Sequence, residues 1–307
     1  MPWFSEKLVN GYPSASLQSL PPAVPFYQGI LDQTPADLLA CCAGDLRIHD
    51  PRVGDVVGAS DFVDYVTATR EWLALGDAIL TPGSVLHTAV RSVEEVVLDL
   101  TVGGERQELR CAVVAERDAE HRLSDIRIYH SLWPLFTNHH VSTPAIHADP
   151  EVQLPAVVRD NLEARAADDA DAILETYEDG AVVQTSASGF RIFTRREELR
   201  RLDRAATVPG TKPAVTICAA TDDGRTCAIE YKVTHFSRPE PDQVGVTLFE
   251  RGDSGRIRSE RSYLVSCGLN ADQPRAFERT ESLKPAFARS RSALVPRELQ
   301  GLEVGCE

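Results

Sequence analysis

The sequence predicts an α+β protein made of two tandem units, on three observations. The chain repeats itself at an offset of about 134 residues: Glu116-Arg117, Arg122-Leu123 and Ile126 to Tyr129 align without a gap on Glu250-Arg251, Arg256-Ile257 and Glu260 to Tyr263. Upstream, Ala36-Asp37 through Gly44-Asp45 falls on Ala170-Asp171 through Glu178-Asp179 at the same offset. A period this long marks a duplicated domain, because solenoids and propellers repeat every ~20–50 residues. Each unit also reads as a helix, a short helix and then a long run of strands, the order of a sheet with helices on one side. Finally, 307 residues are enough for two separate cores.

In the first unit Pro25 to Ile30 and Pro35 to Ala43 read as successive helices, with Thr34 as cap and Pro35 in the first turn of the second. Cys41 and Cys42 are expected to pack in that second helix as small apolar residues. Ser60 is placed to cap a third helix that turns Phe62, Val63, Val66 and Trp72 inward. Val96, Leu98, Leu100 and Val102 then alternate with Glu95, Val97, Asp99 and Thr101. The turn Gly103-Gly104 leads to a return strand through Leu109, Cys111 and Val113, so this stretch predicts a hairpin. In the second unit Ile229, Tyr231, Val233 and His235 share one strand face, Arg238 to Asp242 is the turn, and Val244 to Glu250 returns. Glu230, Lys232 and Glu95 project from the opposite face, which is either solvated or an interface. Pro134 to Pro155 has neither period and reads as the connector. The expected domains are 1–145 and 146–269, with a C-terminal tail over 270–307 that has no counterpart in the first unit.

Composition narrows the function. A net charge of -14 argues against nucleic acid, since phosphate binding needs a cationic face and the arginines here are interleaved with acids. No apolar run approaches the ~18 residues of a membrane span and the N-terminus lacks a signal pattern, so a cytoplasmic protein without membrane contact is expected. The seven cysteines form no CxxC pair and no Cys/His cluster, which predicts no metal. Gly103-Gly104 and Gly252 to Gly255 sit in hairpin turns, so neither is a phosphate loop and no cofactor is expected. Ser186, Ser188 and Ser262 lack recognisable His and Asp partners for a hydrolase triad.

Ala43 to Pro51, Tyr177 to Val183 and the closing strands Asp125 to His130 and Ser259 to Leu264 resemble the nuclear transport factor 2-like (NTF2-like) superfamily, which includes ketosteroid isomerases, SnoaL-type polyketide cyclases and limonene-type epoxide hydrolases. The resemblance covers about residues 20 to 135 and 155 to 268. It implies two cone-shaped units, each a curved, mostly antiparallel sheet wrapped around helices with an apolar pocket at its open end. It also implies face-to-face packing of the two sheets as a pseudo-dimer. The fold alone does not fix a function.

Asp50, directly before Pro51, falls where the isomerases of this superfamily carry a carboxylate that moves a proton between carbons. Buried in an apolar pocket its pKa would rise toward the value of a useful base; alternatively it opens a turn and pairs with Arg52. Tyr27 resembles the isomerase tyrosine that donates to a developing oxyanion, or else fills the core. The second oxyanion donor of the isomerases is replaced here by Val113 or Val114. His130, on the face of Ile126 and Ile128, could take its place as donor or base, or be a core histidine. In the second unit Gln184 or Thr185 stands at the Asp50 position, and Thr247 at the late-strand position.

The catalytic candidates are therefore Asp50, Tyr27 and His130. The candidate lining for a hydrophobic substrate is Val96, Leu98, Val113, Ile128, Tyr231, His235 and Thr247. The expected activity is cofactor-independent acid–base chemistry on a hydrophobic small molecule, as in isomerisation or aldol-type cyclisation, with the second unit as structural support. The alternatives are a module that only binds a small molecule or a protein, a homodimer among the options, and epoxide opening with Asp99 as a second acid.

Overall fold

Helices lead and strands follow twice in the computed structural model, which describes residues 26–130, 142–185, 191–193, 214–234 and 243–265 of the chain. Helix α1 (Phe26–Asp32) buries Phe26, Tyr27 and Ile30 on one face. Thr34 caps α2 (Pro35–Leu39), accepting from the Asp37 N–H at 3.2 Å, as its position before a proline predicts. That helix stops earlier than the sequence suggests. Cys42 opens strand β1 (Cys42–Asp50) in parallel register with Leu123, so sheet pairing overrides helix continuation. Cys41 and Cys42 consequently lie outside the helix, with their thiols donating to the Asp37 and Leu38 carbonyls.

After β2 (Gly54–Val57) the chain enters α3 (Gly58–Leu75) through Gly58 at φ +80°, a left-handed turn that glycine makes without steric cost. Val57 occupies the cap position without a side-chain bond, so Ser60 lies inside the helix and is not its cap. Strands β3 (Ile79–His87), β4 (Arg91–Val102), β5 (Glu105–Arg117) and β6 (Leu123–Tyr129) complete the first sheet. Gly103 and Gly104, at φ 61° and 88°, form the two-residue turn between β4 and β5, the geometry that matches strand twist.

The second unit repeats the plan with α4 (Ala156–Ala167), α5 (Ala170–Glu175), β7 (Tyr177–Thr185), β8 (Arg191–Phe193), β9 (Ala214–Asp222), β10 (Thr226–Thr234), β11 (Gln243–Arg251) and β12 (Ile257–Val265). The sheet orders are β2-β1-β6-β5-β4-β3 and β8-β7-β12-β11-β10-β9. In each, the pairing of first and last strand (β1 with β6, β7 with β12) is parallel and the other pairings are antiparallel. The fold is α+β. Residues 142–155 carry no helix or strand, while the expected turn over Arg238 to Asp242, His235 and the tail over 270–307 lie outside the described residues. Among the described residues no helix is long and apolar enough to cross a membrane.

Alternation gives each sheet two buried faces. One packs on the helices of its own unit: Ile48, Val96, Leu98, Val113 and Ile128 with Tyr27, Tyr65 and Trp72 in the first, and Tyr177, Ile229, Tyr231 and Phe249 with Val158 and Ile173 in the second. The opposite faces meet each other, with Val93, Val114 and Tyr129 of the first sheet packing among Ala228, Val246, Leu248 and Tyr263 of the second. A polar seam runs through this contact. Glu230 accepts from Arg127 Nε at 2.7 Å and Nη2 at 2.8 Å and from Tyr129 Oη at 2.5 Å. Reciprocally, Glu95 accepts from Arg261 Nε at 2.7 Å and from Tyr263 Oη at 2.6 Å. Arg261 and Tyr263 stand 134 positions after Arg127 and Tyr129, the offset of the repeat. Of the two options for the Glu95 and Glu230 face, interface is what is found. Buried carboxylates are tolerated there because each is paired and hydrogen-bonded.

Candidate functional site

The Asp50-Pro51-Arg52 turn ends β1 and folds back on itself. Asp50 Oδ1 accepts from the Arg52 backbone N–H at 2.9 Å, an Asx turn, while Arg52 Nε lies 3.0 and 2.9 Å from the two carboxylate oxygens. Arg52 Nη2 also donates to Oδ2. Both side chains are buried, Asp50 completely. Helix α3 supplies the next shell from residues spaced four and three apart, which lie on one helical face. Tyr65 Oη donates to Asp50 Oδ2 at 2.9 Å, Thr69 Oγ1 lies 3.4 Å from Arg52 Nη2, and the Trp72 ring centroid lies 3.9 Å from the guanidinium carbon. The parallel β1–β6 pairing brings His130, just past β6, to the other side of the carboxylate, with Nε2 at 3.8 Å from Oδ1.

This arrangement corrects the expected raised pKa of Asp50. Burial by itself pushes the carboxyl up, but the Arg52 charge and hydrogen bonds, with His130 close by, outweigh burial and hold it well below the usual carboxylate range. Asp50 is therefore a permanent anion at neutral pH and a poor proton acceptor. The turn-and-pair option is the one realised, inside the protein and not at its surface.

Tyr27 projects from α1 into the same core, stacked edge-on against Phe26 with ring centroids 5.2 Å apart. Its hydroxyl makes no hydrogen bond of ordinary geometry among the described residues, and burial followed by the neighbouring Cys111 thiol raises its pKa well above 10. His130 has no exposed surface, and among the described residues neither ring nitrogen finds a hydrogen-bond partner in range. Two polar side chains are thus buried without adequate partners among the described residues around one fixed anion. Buried polar atoms are satisfied in the great majority of cases, so this concentration stands out.

Of the expected lining, Val96, Leu98, Val113 and Ile128 pack in the same core as Tyr27. Asp99 projects from the other face of β4 and is bound by Arg106 at 3.1 Å, so Asp50 and Asp99 are not the two facing acids that epoxide opening would need. In the second unit Tyr231 is buried and its hydroxyl accepts from Thr247 Oγ1 at 3.3 Å, with Ser262 Oγ 2.9 Å from Thr247. Strand register decides the residue equivalent to Asp50: His49 pairs with Arg127 and Gln184 with Arg261, which puts Thr185 in that place.

The second unit is more ionic than the sequence suggests. Glu260, on β12, accepts from Arg165 Nη2 at 2.8 Å and from the Tyr177 hydroxyl. Arg165 also reaches Tyr177 Oη at 2.8 Å and, through Nε, Asn161 Oδ1 at 2.8 Å. The second unit, whose singled-out positions Gln184, Thr185 and Thr247 are all uncharged, therefore holds a partly buried ion pair at residues the sequence did not point to. A helical arginine four residues after a buried asparagine was the available signal.

No family model and no curated protein sequence matches the chain. Its structure resembles solved NTF2-like proteins. An NTF2-like protein from Burkholderia xenovorans is 22% identical, with a TM-score of 0.30 over 36% of this chain and 80% of that one. A protein with a ketosteroid isomerase-like fold from Catenulispora acidiphila, solved with trimethylamine, is 21% identical (TM-score 0.33, 37% and 88% covered). An LEH-like epoxide hydrolase from M. tuberculosis is 23% identical (TM-score 0.30, 35% and 79% covered).

Proposed function

We propose that the first unit binds a small, mostly apolar molecule at the Asp50–His130–Tyr27 cluster and moves a proton on it, and that the second unit is its fixed internal partner in a pseudo-dimer. One observation carries this reading: Tyr27 and His130 are buried with unsatisfied polar atoms beside an anion that Arg52 keeps charged. A ligand carbonyl would complete the hydrogen bonding that the protein leaves open. The roles differ from those expected from the sequence. With Nε2–H directed at Asp50, His130 Nδ1 is free to take a proton from the carbon next to a carbonyl, and Asp50 stabilises the imidazolium so formed. The Tyr27 hydroxyl donates to the enolate oxygen, and His130 Nδ1–H returns the proton to the same or a neighbouring carbon. Isomerisation and aldol-type cyclisation both begin with this step.

Exchange of the α-hydrogens of cyclohexanone in deuterated buffer, followed by proton NMR, tests the reading. The intact protein is expected to speed exchange above a protein-free control, with Tyr27→Phe and His130→Gln each slowing it by about 10² or more. Exchange no faster than in buffer, or unchanged in both variants, removes the catalytic role. A second reading is favoured by the zero exposure of Asp50, Tyr27 and His130: the cluster is a polar core element and the chain a non-catalytic module. In that case the same variants alter stability and nothing else.

A further inference from the structure

A second polar cluster lies on the face of the first sheet that packs on its own helices, the inside of the cup they form, away from Asp50. His87 is the last residue of β3, Ser92 the second of β4 and Arg117 the last of β5. Antiparallel register pairs Ser92 with both His87 and Ala115, and Ala115 packs in the cup core. Arg117 follows two residues later and reaches Ser92 Oγ with Nη1 at 3.5 Å, which puts the three side chains together. Ser92 and His87 are 5% and 9% exposed, and both nitrogens of His87 lack a hydrogen-bond partner among the described residues. No carboxylate pairs with Arg117 among the described residues, although its neighbour Glu116 holds Arg91 and Arg127.

Among the described residues Arg117 has no carboxylate partner and one long bond to the Ser92 oxygen, and His87 has an unsatisfied N–H, so the cluster holds more donors than acceptors. Such a set is costly in a partly desolvated place unless something negative completes it. We propose that His87, Ser92 and Arg117 form a binding site for a small oxyanion, a carboxylate or a phosphate. The guanidinium presents a planar fork to two oxygens, while the Ser92 hydroxyl and one His87 N–H donate to the same group. Two further observations fit. Burial pulls the Arg117 pKa down to about 10, and burial together with Arg117 pulls that of His87 down to about 4, so the guanidinium is held in a partly desolvated place beside a neutral imidazole that can give one N–H. In a chain of net charge -14, the surrounding surface gives an anion no general reason to bind, so binding here would be local. The site does not depend on the proton-transfer reading of the Asp50 cluster.

Thermal unfolding of the full chain is measured with inorganic phosphate, with acetate and with sodium chloride at matched ionic strength. Phosphate or acetate is expected to raise the midpoint saturably beyond chloride, and the stronger of the two identifies the headgroup. Arg117→Met is expected to weaken that apparent affinity about tenfold or more. Should Arg117→Met fail to fold, the His87 ring nitrogen resonances in the wild-type protein decide, since they must shift with the same saturation curve. Anions no better than chloride, an equal response in Arg117→Met, or His87 resonances that stay still under saturating anion would each overturn the site.

Discussion

The two units carry the same polar residues on the faces that meet and different ones on the faces that enclose their helices. Across the meeting faces, Arg127 and Tyr129 close on Glu230 as Arg261 and Tyr263 close on Glu95. Inside the cups, both units hold a carboxylate bound by an arginine and a tyrosine, but from different elements. Asp50 sits at the end of β1 with Arg52 and Tyr65, whereas Glu260 sits within β12 with Arg165 and Tyr177. The Glu260 cluster is saturated with hydrogen bonds, while the Asp50 cluster leaves Tyr27 and His130 open. A saturated buried cluster holds a fold in one arrangement. An unsaturated one is where a ligand could be recognised.

The largest effect should come from breaking the symmetric seam. Arg127→Met leaves Glu230 buried without its cation and is expected to cost about 3–5 kcal/mol in urea unfolding. Arg261→Met is expected to cost less, because Arg261 is the more exposed of the two arginines and Glu95 retains bonds from Tyr263 and Ser84. Equal costs for the two variants would mean that the seam is energetically as symmetric as its sequence.

Next in size is the Asp50 pair. Asp50→Asn strands the Arg52 charge and should cost about 3 kcal/mol, and adding Arg52→Met should recover much of that loss. A double variant no more stable than the single one would show that Arg52 is not the group that suffers.

The pH dependence follows from the directions of two shifts. The folded pKa of His87, about 4, lies below the ordinary value of roughly 6.5, so between these values the unfolded chain binds a proton that the folded chain refuses. Stability should therefore fall as pH drops through that window, and His87→Phe should flatten the slope. Asp50 has a depressed folded pKa, so its contribution is complete above its unfolded pKa of about 3.9 and is lost as pH falls below it. Urea midpoints from pH 7 to pH 3 would separate the two.

The smallest effect is the most informative for the comparison. Tyr177→Phe removes a hydroxyl that serves Glu260 and should cost about 1–2 kcal/mol, whereas Tyr27→Phe removes one without a hydrogen bond and should cost nothing or stabilise slightly. Similar losses at both positions would erase the distinction between the cups.

Much of the fold was legible because its signals are local. Alternation from Val96 to Val102 and the Gly103-Gly104 turn specify the β4–β5 hairpin with no need of tertiary information. The end of α2 was not legible, because Cys42 becomes a strand residue by pairing with Leu123, some eighty positions away. Of the site, the Asp50-Pro51-Arg52 turn was visible, since the arginine is two residues from the acid. What escaped is who else surrounds it. Trp72 reads simply as one of the apolar residues of a helix and Tyr65 and Thr69 are not singled out at all, and only the packing of α3 over β1 turns their face into a shell around an ion pair.

The crosswise seam between the sheets has a mechanical consequence. Each arginine reaches over to grip an acid belonging to the other half, so the peptide joining the halves is not what keeps them together. A protease cut in that joining stretch would leave a two-piece molecule that still travels as one particle.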